Sequence, residues 1–178
     1  ATLDEVRQAL ALIAWGRMQS DLPPDLETAL AAFDTGAARA ALAGQVVLLH
    51  CTTQYPAPLS AVNLRAMDTL AETFGLPVGY SDHTLGLSVP IAAVARGAVM
   101  IEKHFTLSRD RQGPDHAASL EPDELAAMVR AIREVEQALG RAEKAPAPEE
   151  MANRIVARRS LVATRPIRAG EVWTPDML

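Results

Sequence analysis

The length, composition and charge of the chain limit the classes of protein to which it belongs. It has 178 residues, of which 49% are hydrophobic, and 17 basic against 22 acidic residues give a formal net charge of −5. Such a composition argues against a disordered chain, and the negative charge argues against nucleic acid as an electrostatic partner.

Cysteine content and hydropathy favour an intracellular protein. Cys51 is the only cysteine, so no internal disulfide can form, which is typical of a reducing compartment. No apolar run reaches the roughly 18 residues of a spanning helix, and the acidic, amphipathic start "ATLDEVRQAL" is unlike a signal peptide. We therefore expect a cytoplasmic protein without membrane contact. The start at Ala1 and the stop within "GEVWTPDML" also lead us to expect a fragment.

Residues 1–44 are predicted to contain two helices separated by an irregular stretch. Residues 2–14 have apolar side chains at helical spacing, and Thr2 with Glu5 forms the pattern of a capping box. Residues 15–44 contain "SDLPPDL" and then many alanines. For them we predict an irregular stretch followed by one short helix.

Three strand–helix units are predicted after residue 44. Each predicted strand is a short apolar run, which is typical of a strand buried on both faces. Gly75, Gly97 and Gly140 end the helices, while Ser119 is predicted to cap the last helix, with Pro122 in its first turn. The units are strand 45–52 with helix 61–74, strand 76–81 with helix 85–97, and strand 98–105 with helix 119–140.

Polar side chains cluster at or just beyond the ends of these strands. The alternation of buried strands with helices predicts an α/β fold, and the spacing resembles the units of a (β/α)₈ barrel. In such barrels the chemistry occurs at the carboxyl ends of the strands. We therefore expect these polar side chains to face a catalytic rim. They are His50, Ser81, Asp82, His83, Glu102 and His104.

The end of the chain is predicted to be a separate module. Residues 141–154, "RAEKAPAPEEMANR", are charged and contain prolines, which predicts a linker. Residues 155–178 contain short β-like runs and a turn at "IRAG". For them we predict a second, incomplete module.

His83 and His104 follow neighbouring predicted strands. Adjacent strands lie about 4.8 Å apart, so the two imidazoles can converge on one metal ion. Two imidazoles with carboxylates or waters suit Mn²⁺, Fe²⁺, Co²⁺ or Zn²⁺. From the pattern alone, two unrelated histidines with local hydrogen bonds remain the alternative.

A loop acid, three small hydroxyls and a tyrosine have both a functional and a structural interpretation. Asp115 in "GPDH" either acts as a general acid or base or shapes a turn. Ser81, Thr52 and Thr53 either hold a phosphate together with backbone amides or cap strand ends. Tyr55 either lines a pocket or packs against the prolines of "YPAP".

Two residues of the predicted strands are expected to lie away from the site. Cys51 is expected to be a small core residue. Lys103 alternates with Glu102 and His104 along its strand, so its side chain is expected on the opposite side. This argues against an aldolase that forms a Schiff base, because such an enzyme needs a strand-end lysine in a dry pocket.

Taken together and in this order, several motifs resemble the sialic acid (N-acylneuraminate) synthase family over nearly the whole chain. They are "LLHCTTQYPAP", "NLRAMDTLAETFGLPVGYSDHT", "IEKHFTL", "GPDHAASLEPDEL" and "ARRSLVA". The resemblance implies the C-terminal half of a (β/α)₈ (TIM) barrel over residues 1–140. It further implies a linker over residues 141–154 and the start of a small antifreeze-like (SAF) domain over residues 155–178.

The resemblance also implies an activity and its participants. Members of the family condense phosphoenolpyruvate with an N-acyl hexosamine such as N-acetylmannosamine, releasing phosphate and forming a nonulosonic (sialic-type) acid. They require a divalent metal, Mn²⁺ or Mg²⁺, and form a homodimer with swapped SAF domains. The alternatives are a legionaminic or pseudaminic acid synthase acting on a diacetamido sugar, a noncatalytic carbohydrate-binding relative, and a metal-dependent hydrolase or aldolase.

Roles for individual residues follow from the same resemblance. Two residues are implied as metal ligands, two as catalytic carboxylates and three as substrate contacts. In that order they are His83 and His104; Glu102 and Asp115; and Thr53, Tyr55 and Ser81. Ser81 would contact the phosphate of phosphoenolpyruvate, and Tyr55 would face the sugar. Because the family's N-terminal half-barrel has no counterpart here, we expect this chain by itself to be inactive.

Overall fold

The computed structural model describes residues 1–19, 21 and 25–177, which belong to two compact units, residues 1–140 and 141–178. The first unit has the predicted α/β character. Its elements are α1 (Leu3–Met18), α2 (Leu26–Phe33), α3 (Gly36–Leu42), β1 (Leu48–Cys51), α4 (Ala66–Phe74), β2 (Val78–Asp82), α5 (Ser88–Ala95), β3 (Ile101–Lys103) and α6 (Pro122–Leu139). Among the described residues, no helix is both long and apolar enough to cross a membrane.

The strands form one parallel sheet in the order β1-β2-β3. In its register His50 lies opposite Tyr80, Ser81 opposite Glu102, and Asp82 opposite Lys103. Parallel pairing brings the carboxyl ends of all three strands to one edge of the sheet. The polar segments that follow the strands therefore meet at that edge.

Burial differs between the strands, whereas the sequence predicts burial on both faces for all three. Every residue of β2 is buried, but the residues of β1 and β3 are half-buried or exposed. The reason is position, because β1 and β3 are the outer strands of this sheet and have a neighbouring strand on one side only. Both outer strands are also shorter than the predicted 45–52 and 98–105.

The capping box at the start of α1 is confirmed. The backbone N–H of Glu5 donates to the Thr2 hydroxyl at 3.2 Å, and the Thr2 N–H donates to the Glu5 carboxylate at 2.6 Å. The helix continues beyond the predicted residue 14 and ends at Met18.

The prediction of one short helix within residues 15–44 is wrong, because two helices form there. Asp25 caps α2 by accepting from the Thr28 N–H at 2.7 Å, and Thr35 caps α3 by accepting from the Ala38 N–H at 3.4 Å. Each side chain satisfies an N–H at the first turn of its helix, which starts a new helix. Residues 20 and 22–24 of the predicted irregular stretch lie outside the described residues.

The two middle helices are shorter than predicted, but their glycine ends are confirmed. Helix α4 begins at Ala66, after a 3₁₀ turn at Leu59–Ala61, and ends at Gly75 in the left-handed conformation, with φ of 64°. Only a residue without a Cβ adopts that conformation freely. Pro90 lies in the first turn of α5, where its missing N–H has no helical partner to lose.

The prediction that Ser119 caps the last helix is wrong. Helix α6 begins at Pro122, with Glu121 as its cap, and the Glu124 carboxylate accepts from the Glu121 N–H at 3.0 Å. Ser119 follows a 3₁₀ turn at His116–Ala118, and its hydroxyl donates to the carbonyl oxygen of Asp115 at 2.7 Å. The serine therefore stabilises the preceding loop instead of the helix.

The core against which the sheet packs lies between β2 and helices α4 and α5. It contains Val78 and Tyr80 from the strand with Met67, Val89 and Ala93 from the helices. Residues at alternate positions of the strands share this side of the sheet, which we call the helix-facing side. Tyr80 has no exposed surface, and its hydroxyl has no hydrogen-bond partner among the described residues.

Removing the Tyr80 hydroxyl is expected to reduce the sensitivity of the fold to alkali. Burial, reinforced by the negative charge of Asp82, raises the pKa of Tyr80 to about 12. An unfolded tyrosine ionises near pH 10, so stability is complete below about pH 10 and is lost as pH rises from there through about 12. Tyr80→Phe should cost less than about 1 kcal/mol at pH 7 because the hydroxyl is unpaired.

Urea unfolding at pH 7 and pH 11 measures both effects of Tyr80→Phe. The exposed Tyr55 provides the control, since Tyr55→Phe should keep the alkaline loss of the unmodified chain. If Tyr80→Phe lost as much stability between the two pH values as Tyr55→Phe, the assignment of this loss to Tyr80 would be wrong.

The second unit contains one α-helix, α7 (Met151–Ala157), preceded by a 3₁₀ turn at Pro148–Glu150. Both lie at least partly in residues 141–154, for which the sequence predicts a linker. Residues 158–177 contain no strand where β-like runs are predicted, since Leu161 and Val162 are exposed there. The turn at "IRAG" is present, with the Glu171 N–H donating to the Arg168 carbonyl oxygen at 3.1 Å. Residue 178 lies outside the described residues.

Candidate functional site

The candidate site lies where the segments after the three strands meet. His83 follows β2 and His104 follows β3, and the centres of their rings are 5.2 Å apart. Tyr55, from the segment after β1, places its ring 4.2 Å from that of His83 and 5.6 Å from that of His104. One aromatic ring from the end of each strand therefore converges on a common point.

Hydrogen bonds determine which nitrogen of His83 is free. Its Nδ1 lies 3.1 Å from the carbonyl oxygen of Thr52 and 3.6 Å from Sγ of Cys51. A carbonyl oxygen only accepts, so Nδ1 carries the proton and donates it to Thr52. The Nε2 lone pair of His83 remains available to a metal ion or to a proton donor of a substrate.

Asp115 belongs to the same cluster. Its Oδ2 lies 3.8 Å from Nδ1 of His104, and both side chains are partly exposed. Its backbone is left-handed, with φ of 70°, a conformation that aspartate and asparagine tolerate better than most residues. The structural and the functional interpretation of "GPDH" are therefore compatible, because Asp115 shapes the turn and also presents its carboxylate to His104.

The loop that carries Asp115 is held by its neighbours on both sides. Ser119 binds the Asp115 carbonyl oxygen, as described above. His116 Nδ1 lies 2.8 Å from Oγ1 of Thr106, whose single proton is directed to the carbonyl oxygen of Ser108 at 3.0 Å. His116 must then donate, since Thr106 can only accept from it. This contact ties the loop to the segment that follows β3.

Ser81 and Glu102 form a pair that the sequence did not predict. The Ser81 hydroxyl donates to Oε1 of Glu102 at 2.6 Å, across the register that pairs the two residues. Ser81 is buried and Glu102 is exposed, so the pair lies at the surface of the side opposite the helices. A phosphate that bound Ser81 would replace a carboxylate as the acceptor of this hydroxyl.

The threonines after β1 differ from each other. Thr52 is half-buried, and its hydroxyl donates to the carbonyl oxygen of Ala61 at 3.0 Å, in accord with a role in capping the strand. Thr53 is exposed beyond the strand. Of the two, Thr53 has the side chain that is accessible to a substrate.

The prediction that Cys51 is a core residue is wrong, because its side chain is exposed. The residue of β1 that turns toward the core is His50, whose Nε2 lies 2.7 Å from the carbonyl oxygen of Val62 and whose ring packs 5.8 Å from that of Tyr80. Side chains alternate along a strand, so His50 and Cys51 must lie on opposite sides. The prediction that His50 faces the rim is wrong for the same reason.

Asp82 is also misplaced by the sequence prediction. It is almost fully buried instead of facing the rim, and its Oδ2 accepts from Nζ of Lys103 at 2.6 Å. The expectation that Lys103 lies away from Glu102 is confirmed, because Lys103 joins Asp82 on the helix-facing side. A charged lysine bonded to a carboxylate is a poor nucleophile, which agrees with the argument against a Schiff-base aldolase.

Two imidazoles form the core of the possible metal-binding set. Among the residues that the structure describes, no three histidine, cysteine, aspartate or glutamate side chains are placed to enclose a metal ion. His83 and His104 can therefore supply two nitrogen ligands and leave other positions for water or substrate oxygens. Such a set fits Mn²⁺ better than Mg²⁺, which prefers oxygen ligands in an octahedron.

Comparison with known proteins gives matches over most of the chain. It is 50% identical over 133 residues to N,N'-diacetyllegionaminic acid synthase of Campylobacter jejuni, covering 75% of this chain and 40% of that protein. It is 45% identical over 131 residues to human N-acetylneuraminate-9-phosphate synthase, covering 73% and 36% respectively. The chain thus spans about 40% or less of the length of these relatives.

A solved structure and a family match complete the comparison. The crystal structure of N-acetylneuraminic acid (sialic acid) synthetase from Leptospira borgpetersenii serovar Hardjo-bovis, in complex with citrate, superposes with a TM-score of 0.59. The two proteins are 36% identical, and the match covers 76% of this chain and 46% of that one. The NeuB family matches residues 1–144, which include all three strands and the rings that meet at their ends. The chain therefore belongs to the NeuB family.

Proposed function

We propose that the protein carrying this chain condenses phosphoenolpyruvate with an N-acyl hexosamine, such as N-acetylmannosamine, to a nonulosonic acid and phosphate. Residues 1–140 would supply the C-terminal half of its TIM barrel. The convergence of Tyr55, His83, His104 and Asp115 at the carboxyl ends of parallel strands carries this proposal. That edge is where barrel enzymes place their chemistry.

His83 and His104 would hold a divalent metal, for which Mn²⁺ is the better match. When bound there, the metal would act as a Lewis acid on the carbonyl group of the sugar. The exposed face of Tyr55, which packs against both imidazoles, would form the wall on which the sugar lies. Hydrogen bonding of Nδ1 to Thr52 fixes the His83 ring and its tautomer, as outer hydrogen bonds do at other metal sites.

The carboxylates would handle the protons of the reaction. The enol carbon of phosphoenolpyruvate attacks the aldehyde carbon, water adds to the resulting C2 cation, and phosphate leaves, so one water is consumed. Asp115 and Glu102 are placed at the rim to take the proton from this water, return one to the aldehyde oxygen and stabilise the cation. Ser81, now bonded to Glu102, would turn its hydroxyl to the phosphate when substrate binds.

The remaining proposals concern parts beyond the described site. We propose that residues 141–154 are a linker and that residues 155–178 begin an SAF domain. The full-length protein would be a cytoplasmic homodimer with swapped SAF domains. The sequence resemblance at "ARRSLVA" supports these proposals.

A diacetamido sugar is the second candidate acceptor. The identity to the legionaminic acid synthase of Campylobacter jejuni is 50%, and that to a second such synthase, from Legionella pneumophila, is 48%, against 45% for the human sialic acid relative. This ranking favours an acceptor with two acetamido groups. The shape of the acceptor pocket depends on the whole barrel, so only an assay distinguishes the two sugars.

The proposed reaction is tested by incubating the full-length protein with phosphoenolpyruvate, Mn²⁺ and either N-acetylmannosamine or the diacetamido sugar. Phosphate release and formation of a 2-keto acid are followed together, with parallel samples lacking metal. We expect both products in equal amounts, and only with metal. If neither acceptor gave turnover, the noncatalytic carbohydrate-binding alternative would replace this proposal. Residues 1–178 alone are expected to be inactive.

Asp115→Asn is expected to lower kcat by roughly 10²–10⁴-fold, the usual contribution of a general acid or base. Asparagine tolerates the left-handed backbone at this position, so the variant removes the charge without straining the loop. Steady-state kinetics of the full-length protein provide the measurement. Asp110→Asn, an exposed acid upstream of the same loop, is the matched control and should keep the wild-type rate. A kcat within a few-fold of wild type for Asp115→Asn would exclude proton transfer by Asp115.

A further inference from the structure

A buried ion pair lies behind the two histidines. Asp82 and Lys103 have 0% and 3% of their side chains exposed, and Lys103 Nζ lies 2.6 Å from Asp82 Oδ2. The same ammonium donates to the carbonyl oxygen of Thr84, also at 2.6 Å. Asp82 Oδ1 in turn accepts from the Thr84 N–H at 2.9 Å. Both charges are therefore hydrogen-bonded as well as paired.

The ion pair is connected to the site through the backbone. Asp82 directly precedes His83, and Lys103 directly precedes His104. Lys103 thus bonds to the residue on each side of His83 while its own chain neighbour is the other histidine. The two residues also oppose each other in the register of β2 and β3. The pair consequently ties together the two strand ends from which the imidazoles extend.

Stability alone does not require charges at this position. Taking two charges out of water is expensive, and well-packed apolar residues of similar volume often give equal or greater stability than a buried ion pair. The specific gain from an ion pair is its geometry, because its short, directional hydrogen bonds permit one relative placement of the groups. Neither side chain reaches the rim, so neither residue contacts a substrate.

We propose that Asp82 and Lys103 are positioning residues that set the separation and orientation of the His83 and His104 imidazoles. This inference rests on the proposed role of those histidines as metal ligands. A metal site tolerates only small errors in ligand placement, since its ligands must lie within tenths of an ångström of their bond lengths. The ion pair supplies that accuracy from the helix-facing side of the sheet, where it does not occupy the site.

The decisive variant replaces both charges with apolar side chains of similar size, Asp82→Leu with Lys103→Met, in the full-length protein. No unpaired charge is left, so the protein should unfold at nearly the wild-type urea concentration. Its affinity for Mn²⁺ alone, without substrates, should nevertheless fall by about 10–100-fold, as when other outer-shell partners are removed. Pulsed electron paramagnetic resonance of bound Mn²⁺ should show ¹⁴N coupling from two imidazoles in the wild type and from fewer in the variant.

A destabilised control separates positioning from general loss of stability. Met128→Ala truncates a buried residue of α6 in another part of the core and should keep both the Mn²⁺ affinity and the ¹⁴N signal. If the double variant does not fold, Lys103→Met is compared with Met128→Ala under conditions where both are folded. Only Lys103→Met should lose the ¹⁴N coupling.

The possible outcomes distinguish this inference from the proposal on which it depends. Wild-type protein without ¹⁴N coupling would overturn the metal site, and the positioning role with it. Coupling that is present in the wild type and unchanged in the Asp82/Lys103 variants would overturn the positioning role alone and leave the metal site intact. Loss of coupling and affinity in a variant that stays folded would support both.

Discussion

Replacing His83 or His104 with alanine is expected to reduce the Mn²⁺ affinity of the full-length protein by at least about 100-fold. Loss of an outer-shell partner costs 10–100-fold at metal sites, and loss of one of two nitrogen ligands should exceed that. The two rings lie 5.2 Å apart, and His83 holds its free Nε2 by donating from Nδ1 to Thr52. Titration calorimetry with Mn²⁺ gives the affinity, and phosphate release should fall in parallel.

His50 provides the matched control for these histidine variants. It lies on the helix-facing side, where its Nε2 contacts the carbonyl oxygen of Val62. A glutamine can donate a similar hydrogen bond, so His50→Gln should retain the wild-type Mn²⁺ affinity. Equal losses in His50→Gln and His83→Ala would show that the affinity follows the stability of the sheet. Turnover that persisted without His83 would remove that residue from the metal site.

Asp82→Asn is expected to lower the free energy of unfolding by about 3–5 kcal/mol, the usual effect of breaking one partner of a buried ion pair. The asparagine keeps the shape of the side chain but leaves the Lys103 ammonium buried without a counter-ion. Urea unfolding at neutral pH measures the change. The double apolar replacement of Asp82 and Lys103 should recover most of this loss, because it leaves no unpaired charge.

A surface ion pair shows how much of this effect depends on burial. Arg133 and Glu136 form an exposed pair on α6, 2.7 Å apart. Because solvent screens such pairs, Arg133→Gln should change the free energy of unfolding by less than about 1 kcal/mol. If Asp82→Asn cost no more than Arg133→Gln, Lys103 would have to find another partner or lose its proton in the variant.

The positions of the helices and strands followed largely from local patterns. Thr2 and Glu5 marked the start of α1, and Gly75 marked the end of α4, because capping and left-handed glycine depend on a few neighbouring residues. Ser119 misled the prediction because a serine hydroxyl can bond backward to a loop as well as forward to a helix. The choice depended on the conformation of the loop at Asp115.

The candidate site was predicted in outline, because parallel strands bring their carboxyl ends together. Tyr55, His83, His104 and Asp115 meet as that rule requires. The orientation of the strand residues was less predictable. In a strand with apolar residues on both faces, the pattern does not show which alternate residues face the core, so His50, Cys51 and Asp82 were misassigned.

By itself, the sequence determined the α/β class, the order of the strands and helices, and the residues at the strand ends. Those features follow from local hydrophobic pattern and capping. Only the tertiary structure decided the pairing of Asp82 with Lys103 and of Ser81 with Glu102, which depends on the register between β2 and β3. It also explains Gly79, where an added Cβ would lie 2.4 Å from the carbonyl oxygen of Met100. Register and close approach arise between segments distant in the chain, so no local pattern encodes them.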